Sequence, residues 1–316
     1  TPLAVTTAVY TGSAVFLAPA GVTSVTVEAW GGGGGGGRAR GSPATGGGGA
    51  GGAYARKTVA VVPLQSYTVT VGAGGIGGNG TGTDTQHGRT GNPSWFDTTN
   101  TVFAQGGGRG LSDGNVNYYN GLGGTGAVAL SVGDVVYRGG HGGRGNYNSG
   151  TSYRSGAGGG GAGTGGNGGD AVTNGVAGVG TALYGGNGAA GVTNNLAGAN
   201  GATYGGGGAG GKANTSTDRN GGAGADGLVR ITYEMAGTAG APPDLASGWT
   251  LAPGQRLEAA FSVLVDDPLA YRAITNVATV ASTVQPVPLS ATVVDPVVEV
   301  DLSIAKTASV SELDEE

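Results

Sequence analysis

The sequence contains no cysteine, one methionine and two histidines, and only 11% of its residues are charged. Without cysteine, thiolate chemistry and disulfides are excluded, and two histidines are too few for a histidine-rich metal site. No apolar run approaches the roughly 18 residues that suggest a membrane span. The net charge is −5, whereas a nucleic-acid-binding protein carries an excess of basic residues. We therefore expect no membrane span, no nucleic-acid partner and no cofactor.

Motifs for catalysis or metal binding are scarce as well. His87 and His141 lie in glycine-rich polar stretches, without a carboxylate cluster at ligand spacing. No Gly-x-Ser-x-Gly elbow lies between a clear strand and a helix. Residues 165–173 and 221–229 fit the calcium nonapeptide pattern, but that site needs tandem copies because successive turns share each ion. The sequence therefore predicts neither an enzyme nor a metal site.

Glycine dominates what is present, at 74 of 316 residues, roughly three times average usage. Nearly all of these glycines precede residue 240, and they come in blocks such as residues 31–37 and 158–161. Collagen is excluded, because it needs glycine at every third position.

Charge divides the chain at the same place. Residues 1–239 carry 12 Lys and Arg against 9 Asp and Glu, a net charge of +3, whereas residues 240–316 carry 3 against 11, a net charge of −8. The stretch 237–244 is rich in Gly, Ala and Pro, which is typical of a linker. We therefore predict a glycine-rich β domain over residues 1–236, a linker over 237–244 and an acidic C-terminal region.

Short strands alternate with the glycine blocks. Residues 22–30 (VTSVTVEAW) place Val25, Val27 and Ala29 on one face. The glycine blocks cannot bury side chains, so they are either mobile linkers or extended, polyproline-II-like strands packed closely because no Cβ intervenes. Because the blocks interleave with strands, and Tyr184 and Tyr204 stand beside them as possible lids, we favour ordered strands. The predicted fold is all-β, a β-sandwich framework with extended glycine-rich strands and loops.

Several of these motifs resemble the bacterial and phage glycine-rich domain. The resemblance covers about residues 10–235 and is carried by 16–33 (FLAPAGVTSVTVEAWGGG), 52–62, 67–75 and 221–233 (GGAGADGLVRITY). Members of that family occur in phage tail-fibre proteins and in secreted surface proteins. The resemblance implies a β-framework that carries glycine loops rather than an enzyme.

The acidic region has strands of its own. Residues 256–265 alternate apolar and polar, and further short strands at about ten-residue spacing suggest an immunoglobulin-like sandwich. Residues 249–255 (WTLAPGQ) and 274–280 resemble the later half of an Ig-like repeat of bacterial surface proteins, over about residues 245–310 in all. The early strands of such a repeat are missing. We therefore expect a smaller, incomplete Ig-like β-sandwich over residues 245–296.

Residues 297–316 form a C-terminal strand followed by an acidic tail. The segment 300–307 (VDLSIAKT) resembles the opening strand of a next repeat, although no domain follows it. An unpaired edge strand is a liability unless it is covered, and we predict that a neighbouring copy takes up this strand through main-chain hydrogen bonds. Residues 3–10 are a weaker rival donor. The predicted assembly residues share one face of the C-terminal strand: Val298, Val300, Leu302 and Ile304.

Lys306 continues that face, and Asn276 is in register with Ile274 and Ala278. A lysine that faces an asparagine in an apolar sandwich could form an isopeptide bond, since burial lowers the pKa of the amine and makes it nucleophilic. The alternative, which we favour, is a lysine that snorkels to solvent at the strand end.

These features predict a structural subunit that polymerises with copies of itself into an extracellular filament or surface fibre of bacterial or phage origin. The chain starts with Thr, as removal of a secretion signal would leave it. The alternative is a phage tail-fibre or cell-surface adhesin whose glycine-rich loops bind a receptor. In that case Tyr118 and Tyr119, which lie in an Asn-rich stretch, are the candidate contact residues.

Overall fold

The computed structural model describes residues 4–41, 43–80, 85–112, 124–126, 128–146, 154–172, 175–181 and 183–235, and the backbone of four later strands. These residues contain strands and no helix, which confirms the all-β prediction. It follows that no helix in the described part of the chain is able to cross a membrane. The chain divides into two compact units, one comprising Ala4–Met235 and the other containing Ala236–Glu316. We call them the glycine-rich unit and the C-terminal unit.

The strands of the glycine-rich unit are β1 (Ala4–Tyr10), β2 (Ala14–Leu17), β3 (Ser24–Trp30), β4 (Ala44–Thr45), β5 (Tyr54–Ala60), β6 (Ser66–Thr70), β7 (Ser94–Phe96), β8 (Val102–Ala104), β9 (Val135–Tyr137), β10 (Lys212–Ala213) and β11 (Leu228–Met235). Two antiparallel sheets are built from them. The first has the order β1-β11-β3-β5-β9 and the second the order β2-β6-β7-β8, while β4 and β10 pair with each other.

The two sheets pack around one apolar core. Val25 and Val27 of β3 are at most 1% exposed, as their predicted face requires. They belong to a cluster of buried side chains that come from both sheets. The inward-facing residues of the strands meet in this cluster. Its larger members from the other strands are Phe16, Tyr67, Val69, Phe96, Val102, Val229 and Ile231.

The glycine segments continue the strands of this sandwich. Residues 31–39 follow β3, residues 46–53 precede β5, and residues 105–111 follow β8. Residues 156–162 and 205–211 run beside them. We call these segments, together with the outer segments that hydrogen-bond to them, the glycine bundle.

Hydrogen bonding in the bundle has a period of three residues. Along residues 31–39, successive N–H groups donate to three different segments in rotation, and then the rotation repeats. A period of three is that of the polyproline II helix, which makes no internal hydrogen bonds and turns its N–H and C=O groups outward. Gly31, Gly34 and Gly37 donate to Ala53, Ala50 and Gly47; Gly32, Gly35 and Arg38 to Asn92, Arg89 and Gln86; Gly33, Gly36 and Ala39 to Ala225, Gly222 and Arg219.

The carbonyls of the same segment accept in the same rotation, from three further segments. Residues 31–39 are thereby hydrogen-bonded to six neighbours, so the bundle is a three-dimensional network rather than a sheet. Buried backbone groups need partners, and this network supplies them without side chains. Gly32 and Gly35 accept from Gly107 and Gly110, Gly33 and Gly36 from Gly75 and Gly78, and Gly34 and Gly37 from Gly208 and Gly211.

Close approach between segments explains the glycine requirement. At every position from 31 to 37, a Cβ atom would overlap a carbonyl oxygen of a neighbouring segment. The obstructing carbonyls rotate among three segments, as the hydrogen bonds do: those of Gln105, Gly108 and Leu111, those of Ala73 and Ile76, and those of Gly206 and Ala209. No direction around the strand is therefore open to a side chain.

The C-terminal unit contains β12 (Leu257–Phe261), β13 (Ala273–Val280), β14 (Leu289–Pro296) and β15 (Ile304–Ala308). They form two separate antiparallel pairs, β12 with β15 and β13 with β14. β14 begins directly after Pro288 and ends at Pro296. Each described strand of this unit thus has one strand partner.

Candidate functional site

Outer segments of the bundle lack a neighbour on one side, and there side chains supply the missing acceptors. An amide oxygen one segment away takes the place of the absent backbone carbonyl, so that the N–H group stays bonded. Asparagines act in this way: Asn167 accepts from the Arg138 N–H at 3.0 Å, Asn187 from the Gly180 N–H at 2.7 Å, Asn200 from the Ala223 N–H at 2.8 Å, and Asn195 from the Asn214 N–H at 3.1 Å.

The aspartates of the two calcium-like segments have the same role. Asp170 accepts from the backbone N–H of His141 at 2.8 Å and forms a two-point ion pair with the Arg138 guanidinium at 2.6 and 3.0 Å. Asp226 accepts from the Gly74 N–H at 2.7 Å. Among the described residues, no group of three or more His, Cys, Asp or Glu is placed to hold a metal ion. Backbone hydrogen bonding therefore explains the aspartates of both calcium-like segments.

Both histidines also cap the bundle. His87 Nδ1 accepts from the Ser112 N–H at 2.9 Å, and His141 Nδ1 accepts from the Gly126 N–H at 3.1 Å. Each histidine thus has a structural role that its glycine-rich polar stretch did not indicate.

Asp170 gives the bundle a specific acid sensitivity. Hydrogen bonds from Arg138 lower the pKa of Asp170 to about 2, helped by the His141 N–H and opposed by partial burial. The ordinary value is near 3.8, so the ionised carboxylate stabilises the fold above about pH 4, and that contribution disappears as pH falls towards 2. We expect Asp170→Asn to be less stable than the wild type at pH 7 and equally stable at pH 2.

Urea unfolding at several pH values measures this difference. Asp134→Asn, which removes an exposed carboxylate, is the matched control and should leave the pH profile unchanged. A constant difference between Asp170→Asn and the wild type from pH 7 to pH 2 would contradict the role assigned to the ion pair.

A buried ionic and aromatic cluster joins the sandwich to the bundle. Glu28, only 4% exposed, accepts a hydrogen bond from the Tyr54 hydroxyl at 2.7 Å and from Arg230 Nε at 2.6 Å. The Arg230 guanidinium lies 5.8 Å from the Trp30 ring centre and 5.1 Å from that of Tyr184. Burial, together with the bond to Glu28, raises the pKa of Tyr54 far above its usual value.

This cluster closes the first sheet where the bundle begins. Trp30 and Tyr54 are 1% exposed, so a ligand has no access to their rings. Tyr184 packs edge-on against Trp30 at 5.6 Å and lies 6.3 Å from Tyr204, so both expected lids sit over this junction. Its role is structural, because its charges and rings contact each other.

The alternation along β3 places Glu28 on the face opposite Val25 and Val27, so its burial could not be read from that strand alone. Removing one member of a buried ion pair costs roughly 3–5 kcal/mol. The Arg230 side chain is 22% exposed, so water partly solvates its charge once Glu28 is neutral. We therefore expect Glu28→Gln to lower the free energy of unfolding by about 3 kcal/mol, the lower end of that range. Urea titration measures this loss. Glu234→Gln, an exposed change on β11, is the control and should stay within about 0.5 kcal/mol.

The remaining predicted site residues lie in or next to segments outside the described residues. Tyr118 and Tyr119 fall between residues 112 and 124, and Val298, Val300 and Leu302 fall between β14 and β15; none of these is described. Ile304 is the first residue of β15 and pairs with Phe261 of the same chain.

The two residues of the isopeptide hypothesis lie in different strand pairs. Lys306 of β15 is opposite Ala259, and Asn276 of β13 is opposite Val293. The hypothesis stays a prediction, with the snorkelling lysine as its alternative.

Comparison with known families gives one match. The family model described as a glycine-rich domain matches residues 7–234, which is the span of the sandwich and the glycine bundle. No curated protein matches the chain.

Proposed function

The chain belongs to the family of glycine-rich domains, and from that premise we propose that it is a structural subunit of an extracellular filament or surface fibre. The observation that carries the proposal is the pairing in the C-terminal unit, where each described strand has one strand partner. Isolated two-stranded pairs are marginally stable in water, and three or more strands are needed for independent stability. Such pairs gain most from a strand contributed by another copy.

The glycine-rich unit is suited to a load-bearing role. Its segments are cross-linked by backbone hydrogen bonds in three directions, so bending one segment strains all of its neighbours. A rigid body with a separate, incomplete β unit is an arrangement expected of a polymer subunit. We further propose that the C-terminal unit is a partial Ig-like repeat, secreted with the rest of the chain.

The proposed joint is an exchange of the C-terminal strand. Within one chain, β15 pairs with β12 over Leu257–Phe261. The strand is therefore not unpaired, and its donation to a neighbour requires that this pairing is exchanged. The same antiparallel pairing formed between copies is a domain swap, which needs no new complementarity. The rival donor at the N terminus is less suited, because β1 pairs along its whole length with β11.

Negative-stain microscopy of the full chain over a range of concentrations tests the proposal. Filaments or linear oligomers that lengthen with concentration are expected. A chain that stays as single particles at the highest soluble concentration would refute the filament proposal.

An adhesin of a phage tail fibre or cell surface is the second candidate. It is favoured by the sequence around Tyr118 and Tyr119, an Asn-rich stretch between residues 112 and 124. In this second proposal the two tyrosines lie in a glycine-rich loop, and loops on a rigid scaffold commonly carry binding residues. Single particles that bind cells, and lose binding when both tyrosines are replaced by Ala, would favour this second reading.

A further inference from the structure

One edge of the first sheet is long and carries no charge. β1 is the outermost strand there, and among the described strands only β11 pairs with it. The seven residues of β1 (AVTTAVY) include no charged residue and no proline. The side chains of Val5 and Val9 are 65% and 49% exposed. An exposed apolar edge strand of this length is a template on which another strand can pair.

The other edges of the two large sheets are short. β2 has four residues, and β8 and β9 have three each. β9 is also flanked by the charged residues Asp134 and Arg138. Short edge strands and charged side chains are means by which proteins prevent edge-to-edge pairing. β1 has neither protection, which sets its free edge apart from the others.

The sequence of β1 is nearly symmetric about Thr7. Val5 and Val9 lie two residues to either side of Thr7. Two smaller residues, Thr6 and Ala8, lie directly next to it. When the strand is turned end for end about Thr7, it therefore presents similar side chains at the same positions. A two-fold interface requires such self-complementarity, so the strand that fits this edge best is β1 of a second copy.

A row of threonines on the outer face of the first sheet ends at Thr7. Thr7 is opposite Thr232 of β11. Thr232 is opposite Thr26 of β3, which is in turn opposite Thr58 of β5. The hydroxyl oxygens lie 3.3 Å apart both in the pair Thr7–Thr232 and in the pair Thr26–Thr58. Threonine pairs across neighbouring strands stabilise a sheet, and a second copy paired at Thr7 continues the row with its own threonines.

We propose that the free edge of β1 pairs with β1 of a second copy, antiparallel and centred on Thr7. Main-chain hydrogen bonds join the two edges, as in the addition of a strand to a sheet. Val5 of one copy is then opposite Val9 of the other, so both exposed valines gain an apolar neighbour across the strands. A two-fold interface closes on itself. The pairing therefore joins two copies, goes beyond the proposed exchange of β15 and does not depend on it.

A single introduced thiol tests the pairing in the full chain, which has no cysteine of its own. In the proposed register the two Thr7 positions are opposite each other, at the Cα separation of about 4.5–5.5 Å of an antiparallel pair, which a disulfide spans. The two Val5 positions are displaced by four residues, about 13 Å along the strand.

Under mild oxidation we expect Thr7→Cys to give at least about tenfold more disulfide-linked dimer than Val5→Cys, because only the first pair of thiols lies within the range of a disulfide. Non-reducing gel electrophoresis measures both yields. Equal yields from the two variants, or no linked dimer from Thr7→Cys, would overturn the proposed pairing.

Lysines at the two valine positions give a second measurement. Adding Val5→Lys and Val9→Lys to Thr7→Cys places lysine opposite lysine in both cross-strand pairs. We expect at least about tenfold less linked dimer at low salt, since like charges directly opposite each other destabilise a strand pair. The control adds Val176→Lys and Val179→Lys at exposed positions of the glycine bundle and should leave the yield unchanged. If the first pair of lysines does not lower the yield, the thiols meet by collision and the inference fails.

Microscopy of the same samples separates this inference from the filament proposal. Filaments without a linked Thr7→Cys dimer would overturn the pairing of β1 and leave the filament proposal standing. Linked dimer at the expected yield without filaments would support the pairing of β1, although the filament proposal would then fail.

Discussion

Gly34→Ala is expected to abolish folding of the glycine-rich unit or to lower its free energy of unfolding by more than about 3 kcal/mol, beyond the usual range for an overpacked core. Gly34 lies in the central segment of the bundle, where a methyl group would overlap the Gly108 carbonyl oxygen and lie 2.9 Å from that of Gly107. These obstacles are backbone atoms held by hydrogen bonds on other segments, so they cannot turn aside as side chains do.

Gly12→Ala is the matched control for this substitution. No atom lies within 4 Å of the position that its Cβ would occupy, so the same chemical change meets open space. It should be neutral or stabilise the protein by up to about 1 kcal/mol through the entropy of the unfolded chain. Urea unfolding of both variants decides the matter. Equal stabilities for Gly34→Ala and Gly12→Ala would mean that the glycine segments are not closely packed in solution.

Deletion of residues 297–316 is expected to leave soluble subunits that do not polymerise. The deletion removes β15, and with it the partner of β12, together with the acidic tail. The removed segment also includes the four predicted assembly residues, and a fully buried apolar side chain is worth roughly 1.5–3 kcal/mol before ordering costs. No disulfide is available to replace the joint, because the chain has no cysteine.

Adding the strand back as a peptide makes this experiment specific. A peptide of residues 297–308 should bind the truncated chain and, in excess, shorten polymers of the wild type by capping them. A scrambled peptide of the same composition is the control and should do neither. Sedimentation velocity follows both effects. Filaments formed by the truncated chain itself would rule out the exchanged strand as the joint.

The alternating strands were predictable from the sequence because their side chains report the face on which they lie. Val25 and Val27 of β3 are buried as their spacing indicates. The rotation of hydrogen bonds along residues 31–39 was not predictable in the same way, since glycine has no side chain to mark a direction. The sequence allowed only two alternatives to be stated for the glycine blocks, mobile linkers or packed extended strands.

One signal of the bundle was present in the sequence and was missed. Asn167 and Asp170 are three residues apart, and their side chains accept from Arg138 and His141, which are also three apart. Polar residues at a three-residue interval in a glycine segment thus mark an outer strand of a bundle with polyproline II periodicity. The same aspartate, with the glycines before it, completes the apparent calcium motif of residues 165–173.

Amide hydrogen exchange of the glycine segments tests the central claim, that they form an ordered network of backbone hydrogen bonds. In two inner segments, residues 31–37 and 156–162, nearly every N–H group donates to a neighbouring segment. Exchange there is expected to be slow and to approach the rate set by global unfolding, as in a protected core. The exposed segment around Gly12 should exchange quickly in the same sample. Exchange of residues 31–37 and 156–162 at the rate of an unfolded peptide would contradict the account.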